Sequence, residues 1–133
     1  MGFWTFMLVM ALLLPALMTA VGAYYRSRSP GKINSFVGYR TARSMKNEQT
    51  WAFAHRLFGR IWFRTGLAEL PVSAACMLLF LGRGRDAVGF AGLALEMAQL
   101  AVLIATIFPV ERALKRSFDE NGQPRPDAPD LPK

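Results

Sequence analysis

The chain has little of what soluble enzymes are built with. Among its 133 residues there is one cysteine, Cys76, and one histidine, His55. A single thiol excludes an intrachain disulfide and leaves the redox compartment unread. Cys76 lies in an apolar run and reads as a small core residue. One His and one Cys far apart do not make a metal site of recognisable spacing. Neither a phosphate loop, nor a nucleophile beside a base, nor a cofactor-binding pattern occurs, so no enzyme and no cofactor are expected. Acidic residues are scarce, nine against sixteen Lys and Arg, for a net charge of +7. Interspersed charge is missing too: the long apolar runs hold almost none, and the segments between them are crowded. A soluble domain mixes its charges, whereas this segregation belongs to a bilayer protein with charged loops. Topology then accounts for the basicity, and no direct nucleic-acid partner is expected.

What is present is 53% hydrophobic residues and a mean hydropathy of +0.23. Three runs carry them, at about residues 3–25, 61–81 and 87–108. A run of about twenty residues rises 1.5 Å per residue and crosses the roughly 30 Å hydrocarbon layer. Trp4 and the Tyr24-Tyr25 pair suit the headgroup level at the ends of the first run. Val21-Gly22-Ala23 would tolerate signal cleavage. No Lys or Arg precedes the run, however, and Arg26, Arg28 and Lys32 follow it at once, so an uncleaved anchor is expected. Gly82 to Asp86 join the second and third runs, and so short a turn predicts an antiparallel hairpin.

The expected fold class is an all-α integral membrane protein, with three transmembrane helices and a cytoplasmic interfacial helix before the second span. Residues 1–118 make the membrane domain. Residues 119–133, with Pro124, Pro126, Pro129 and Pro132, are expected to be a disordered tail. Residues 110–118 can continue the third helix as a basic amphipathic extension. The loop at 26–60 carries Arg26, Arg28, Lys32, Arg40, Arg43, Lys46, Arg56 and Arg60 against Glu48 alone. Positive-inside then places this loop and the C-terminus in the cytoplasm, with the N-terminus outside.

Two spans carry intramembrane polar residues: Glu69 on the second, Glu96 and Gln99 on the third. On the third, Gly89, Gly92, Glu96, Gln99, Leu103 and Thr106 share one stripe, while Ala87, Ala91, Ala94, Ala98, Ala101 and Ala105 share the opposite face. Small residues let helix backbones approach in lipid, so a homo-oligomer is one use of that face. The second span has a matching stripe of Trp62, Thr65, Gly66, Glu69, Ser73 and Cys76. Counted from the cytoplasmic side, Glu69 and Gln99 fall at nearly one level, with Glu96 about a turn deeper. The three are expected to face one another. A mid-membrane carboxylate costs at least ~2.5 kcal/mol and is seldom without a role. Three roles compete: a hydrogen-bonded clamp on Gln99, a proton-linked ligand site, and a pair with Arg64 or a loop arginine.

The loop reads Asn34, then Gly38-Tyr39-Arg40-Thr41, Ser44, Asn47-Glu48, Trp51, Ala54-His55 and Gly59. Asn47 can cap a helix with Glu48 in its first turn. Trp51, Ala54, Phe58, Ile61 and Trp62 mark an apolar face suited to an interfacial helix, and Arg56 and Arg60 can reach lipid phosphates. Taken singly, Tyr39 and Trp51 can be headgroup anchors and Arg40 a neutraliser of lipid phosphate. In this fixed order they predict a folded loop closing the cytoplasmic end. Over about residues 10–109 the pattern resembles the SdpI/YfhL family of bacterial membrane proteins, through Asn34, Gly38 to Thr41, Ser44, Asn47, Trp51, Ala54 and Gly59. The resemblance implies a membrane immunity and signalling protein. It would bind a peptide toxin or other membrane ligand and, through its cytoplasmic face, hold a transcriptional repressor. Asn34, Gly38, Tyr39, Arg40, Thr41, Asn47, Trp51 and His55 would be its ligand-binding or structural motif. The alternative is a small oligomeric proton-coupled exporter using Glu69 and Glu96.

Overall fold

A computed structural model describes residues 2–27 and 39–125. They form four helices in chain order: α1 (Gly2–Tyr25), α2 (Glu48–Leu78), α3 (Arg85–Ala105) and α4 (Ile107–Ser117). Asn47 starts α2 through a capping box. Its side chain accepts from the Thr50 N–H, and the Thr50 hydroxyl accepts from the Asn47 N–H. Glu48 stands in the first turn, where negative charge complements the helix dipole. Gly82, at φ +82°, turns the chain between α2 and α3.

Helix directions follow from paired contacts. Trp4 at the start of α1 donates its indole N–H to Met77 O near the end of α2, at 2.8 Å. At the other end of α1, the Tyr25–Arg26 backbone lies against Gly59. The two helices are therefore antiparallel. Phe3 lies by Gly89, Met7 by Gly92, and Gln99 bonds Ala11 O, so α3 runs parallel to α1. The result is an up-down-up bundle in which α1 packs chiefly on α2 and secondarily on α3.

Three glycines set the α1–α2 approach. A Cβ on Gly22 would strike the Gly59 carbonyl and the Phe63 backbone. One on Gly59 would strike Tyr25 and Arg26, and one on Gly66 would strike Pro15 O and Thr19. Backbone meets backbone over this half of the seam, the mode of association that lipid-embedded helices favour.

Beyond Gly59 the first three turns of α2 overrun the end of α1 and build a cap. Tyr25, Tyr39, Phe53, Ala54, Phe58, Val110, Leu114 and Phe118 form its core. α4 closes over α2 because the axis breaks at Thr106. Pro109 has no N–H to offer the Ala105 carbonyl, which limits continuation of the α3 ladder. Phe118 then packs edge-on against Phe53, with ring centroids 5.4 Å apart.

Four expectations need correction or trimming. Among the described residues, only α1 and the α3–α4 stretch Arg85–Ser117 are long and apolar enough to cross a membrane by length and composition. The expected second span on α2, which carries Arg64 and Glu69, falls outside that set. The face of Trp51, Ala54 and Phe58, expected to lie on lipid, is buried by protein instead. The expected tail starts too early. Residues 119–125 fold back, with Phe118 bridging Pro124 and Arg125 N–H donating to Ser117 O at 2.9 Å. Lastly, of the aromatics expected to anchor α1, Tyr25 is buried in the cap and Trp4 is spent on α2, while Tyr24 is exposed. Arg28, Lys32 and residues 126–133 lie outside the described residues.

Candidate functional site

Most of the loop motif converges on one ring. His55 is fully buried on α2, one turn after Trp51. Its Nε2 accepts the Tyr39 N–H at 2.8 Å, and its Nδ1 lies 2.8 Å from Trp51 O. An acceptor at Nε2 places the proton on Nδ1, so the imidazole is neutral and both nitrogens are used. Burial pushes its pKa down, while the Trp51 carbonyl opposes that shift. The Trp51 indole lies on the imidazole, 4.2 Å between centroids, and its own buried N–H has no acceptor.

Around this ring the loop is tied by short polar links. Ser44 Oγ accepts from the Thr41 N–H at 2.9 Å and lies 3.0 Å from both the Tyr39 and Thr41 carbonyls. Thr41 Oγ1 accepts from the Ser44 N–H at 3.2 Å. Thr50 Oγ1 lies 3.0 Å from Ser44 O, joining the loop to the helix cap. The Tyr39 phenol reaches toward Ile107 O at 3.4 Å and lies beside Glu111. Burial and then Glu111 raise its pKa, which keeps it protonated. Besides capping α2, Asn47 donates from Nδ2 to Gly122 O at 2.6 Å. Gly122 sits at φ +80°, and a Cβ there would meet Asn47 Nδ2 at 2.6 Å, so only glycine fits.

The structure thus brings together Tyr39, Thr41, Asn47, Trp51 and His55. Arg40 stands apart, exposed on the outside of the loop. Asn34 and Gly38 lie outside the described residues.

The polar residues of the bundle meet differently from the expectation. Gln99, 3% exposed, gives its amide nitrogen to Ser73 Oγ at 2.7 Å and to Ala11 O at 2.8 Å. Ala11 O is the carbonyl that Pro15, four residues on, cannot reach with a helix N–H. Gln99 therefore fills the gap that Pro15 opens in α1, and neither glutamate receives its amide. Glu69 and Glu96 are half-buried, and Glu69 Oε2 and Glu96 Oε1 are buried without a hydrogen-bond partner. Among the described residues neither is paired with Arg64. The alanine face divides: Ala87 and Ala91 are half-buried, while Ala94, Ala98, Ala101 and Ala105 are exposed.

Sequence reasoning missed three participants. Ser73 stood in the α2 stripe, and a proline at 15 is the signal that some donor must reach Ala11 O. Glu111 and Gly122 gave no pattern ahead of the fold, since each acts through a partner more than sixty residues away.

No curated protein and no solved structure matches the chain. The model of the SdpI/YfhL protein family matches residues 31–110. This span holds the cap loop, all of α2 and α3, and the α3–α4 break, and it leaves α1 out. The described loop residues that carried the resemblance are those that enclose or flank the His55 ring, apart from exposed Arg40 and the α1-facing Gly59. With the match covering more than half of its length, the chain belongs to the SdpI/YfhL family.

Proposed function

We propose that this chain is a three-span bacterial inner-membrane protein of immunity and signalling type, which engages a membrane-active peptide and offers its cap to a cytoplasmic regulator. Family membership supports the class of activity. Helix direction supports the threading. α1 and α3 run parallel and each is apolar enough to cross. A chain that crosses twice in one direction must return between, and residues 61–78 of α2 lie alongside both. Eighteen helical residues rise about 27 Å, close to the hydrocarbon thickness. Charge supports a cytoplasmic cap, since Arg40, Arg43, Lys46, Arg56 and Arg60 border it.

The observation that carries the reading is the cap. Of the described motif residues, Tyr39, Thr41, Ser44, Asn47, Trp51 and His55 fold one loop against α2, α4 and the 118–125 turn, and Arg40 stands exposed on the surface so formed. A rigid surface with a conspicuous cation is what a partner protein can recognise.

The test is deletion in a native host. Loss of the chain should sensitise cells to a secreted peptide toxin, and wild type should restore resistance. Arg40→Glu, at an exposed position, should insert and fold but fail to restore it or to co-purify a cytoplasmic regulator. A deletion strain with unchanged sensitivity, together with a cap that retains no cytoplasmic protein, would overturn the proposal.

A second reading rests on the partnerless oxygens of Glu69 and Glu96. Two such carboxylates suit proton-coupled export of a hydrophobic cation by an oligomer. Substrate-driven proton flux in proteoliposomes that disappears in Glu69→Gln would select it, and flux unaffected by that change would dismiss it.

A further inference from the structure

Where the cap meets the bundle, α2 and α4 leave a groove of about 390 Å³. Its wall is apolar, from Leu57, Ile61, Pro109 and Ala113, and its rim carries Arg60 and Arg64. A second cavity of about 270 Å³ lies on the α1 side of α2. Arg60 and Arg64 line this one also, and Arg26 joins them. Arg26 is fixed in place, its guanidinium 4.0 Å above the Phe63 ring. Three guanidinium groups therefore surround one helix surface, and among the described residues no carboxylate pairs with Arg60 or Arg64.

The level of this cluster follows from the helices. α1 ends at Tyr25, opposite Gly59, and α3 gives way to α4 at Thr106. All three apolar runs stop beside Arg60. Arg60 and Arg64 lie one helical turn apart, about 6 Å along the axis, so both forks can close on one phosphate. Cations over an apolar trough match an amphiphile with an anionic head.

We propose that this groove is a binding site for an anionic phospholipid, with the phosphate held by Arg60 and Arg64, Arg26 adding charge, and an acyl chain laid along Leu57, Ile61, Pro109 and Ala113. A lipid seated there bridges α2 and α4, and so couples the cap to the leaflet that carries it. The inference rests on the three-span threading, which sets the groove at headgroup level. It is independent of toxin immunity.

The test uses the full chain in neutral detergent, with phosphatidylglycerol, phosphatidylcholine or inorganic phosphate added, read by native mass spectrometry and thermal unfolding. Phosphatidylglycerol should bind and raise the melting temperature, and the other two should not. Arg60→Gln combined with Arg64→Gln should weaken phosphatidylglycerol by about tenfold or more. Arg56→Gln should leave it unchanged, since Arg56 is exposed on the same helix but lines neither cavity. Arg60 and Arg64 are also exposed, and circular dichroism verifies that the variants keep their helices. Equal binding of phosphatidylcholine would overturn the proposal. So would the same loss in Arg56→Gln, which means diffuse surface charge, or a full shift from inorganic phosphate, which means a free-anion site. If the double variant does not fold, the wild-type comparison of the three additives decides alone. Failure here with resistance intact refutes the lipid site only, and the reverse refutes the immunity reading only.

Discussion

At the residue scale, two side chains show how differently a polar group can be legible. Gln99 on a membrane-apolar helix announces that it needs a partner, but position along the span suggested the wrong one. The two glutamates at similar depth were in reach by counting; the deciding fact was a proline in another helix. Pro15 leaves Ala11 O without its helix donor, and a donor in a bilayer must come from a side chain. Replacing Gln99 by Leu should therefore cost about 1–2 kcal/mol in a reversible unfolding assay. Pro15→Ala supplies the missing N–H, so in that background the cost of Gln99→Leu should fall. Equal costs in both backgrounds would show that Gln99 does not repair α1. His55 is legible only in part. The sequence marks it as the sole histidine within a motif, yet its bond to Tyr39 depends on a loop fold that no periodicity reveals. Because burial lowers its pKa, its unfolded form binds the proton more readily. Folding stability is then full above about pH 6.5 and falls as the pH drops below that value. Thermal unfolding followed from pH 8 to pH 5 should show this loss, and His55→Gln should remove the part of the pH dependence that belongs to the ring.

At the element scale, apolar runs located α1, α3 and the later part of α2, Asn47-Glu48 located the start of α2, and α4 was expected only as a continuation of α3. What they could not give was the surface each helix presents. The Trp51–Phe58 face has the pattern of an interfacial helix, because a protein-covered face and a lipid-covered face look alike in composition. α4 and the 39–47 loop decide the matter by covering it. The α1–α2 seam was equally hidden, since Gly22 lies in the first run, Gly59 in the loop and Gly66 in the second run. Gly59→Ala should push the helices apart at Arg26 and cost about 1–3 kcal/mol. Gly89→Ala is the matched control. Its Cβ would meet Phe3 at an ordinary 3.6 Å, and alanine favours the helix, so stability should hold or rise slightly. Similar losses in both would mean that close backbone approach is not what Gly59 provides.

At the scale of the whole molecule, the helix directions gather the basic segments at one end. The basic loop and α4 share one end, and the Arg83–Arg85 turn lies at the other with Phe3 and Trp4. In a Cys76→Ser background, Arg43→Cys and Lys115→Cys should react with an impermeant maleimide only after the cells are opened. Arg85→Cys should react in intact cells, and labelling of Arg43→Cys from outside would invert the arrangement. Chain order alone did not show that the segment after α4 returns to the start of α2. The amide of Asn47 both begins the longest helix and grips the Gly122 carbonyl. A protein that takes hold of the chain after Arg125 therefore pulls first on the end of α4, through the bonds of Arg125 to Lys115, Ser117 and Phe118, and next, through Gly122, on the first turn of α2. The C-terminal end is a handle, and the helix it turns runs the full depth of the bundle.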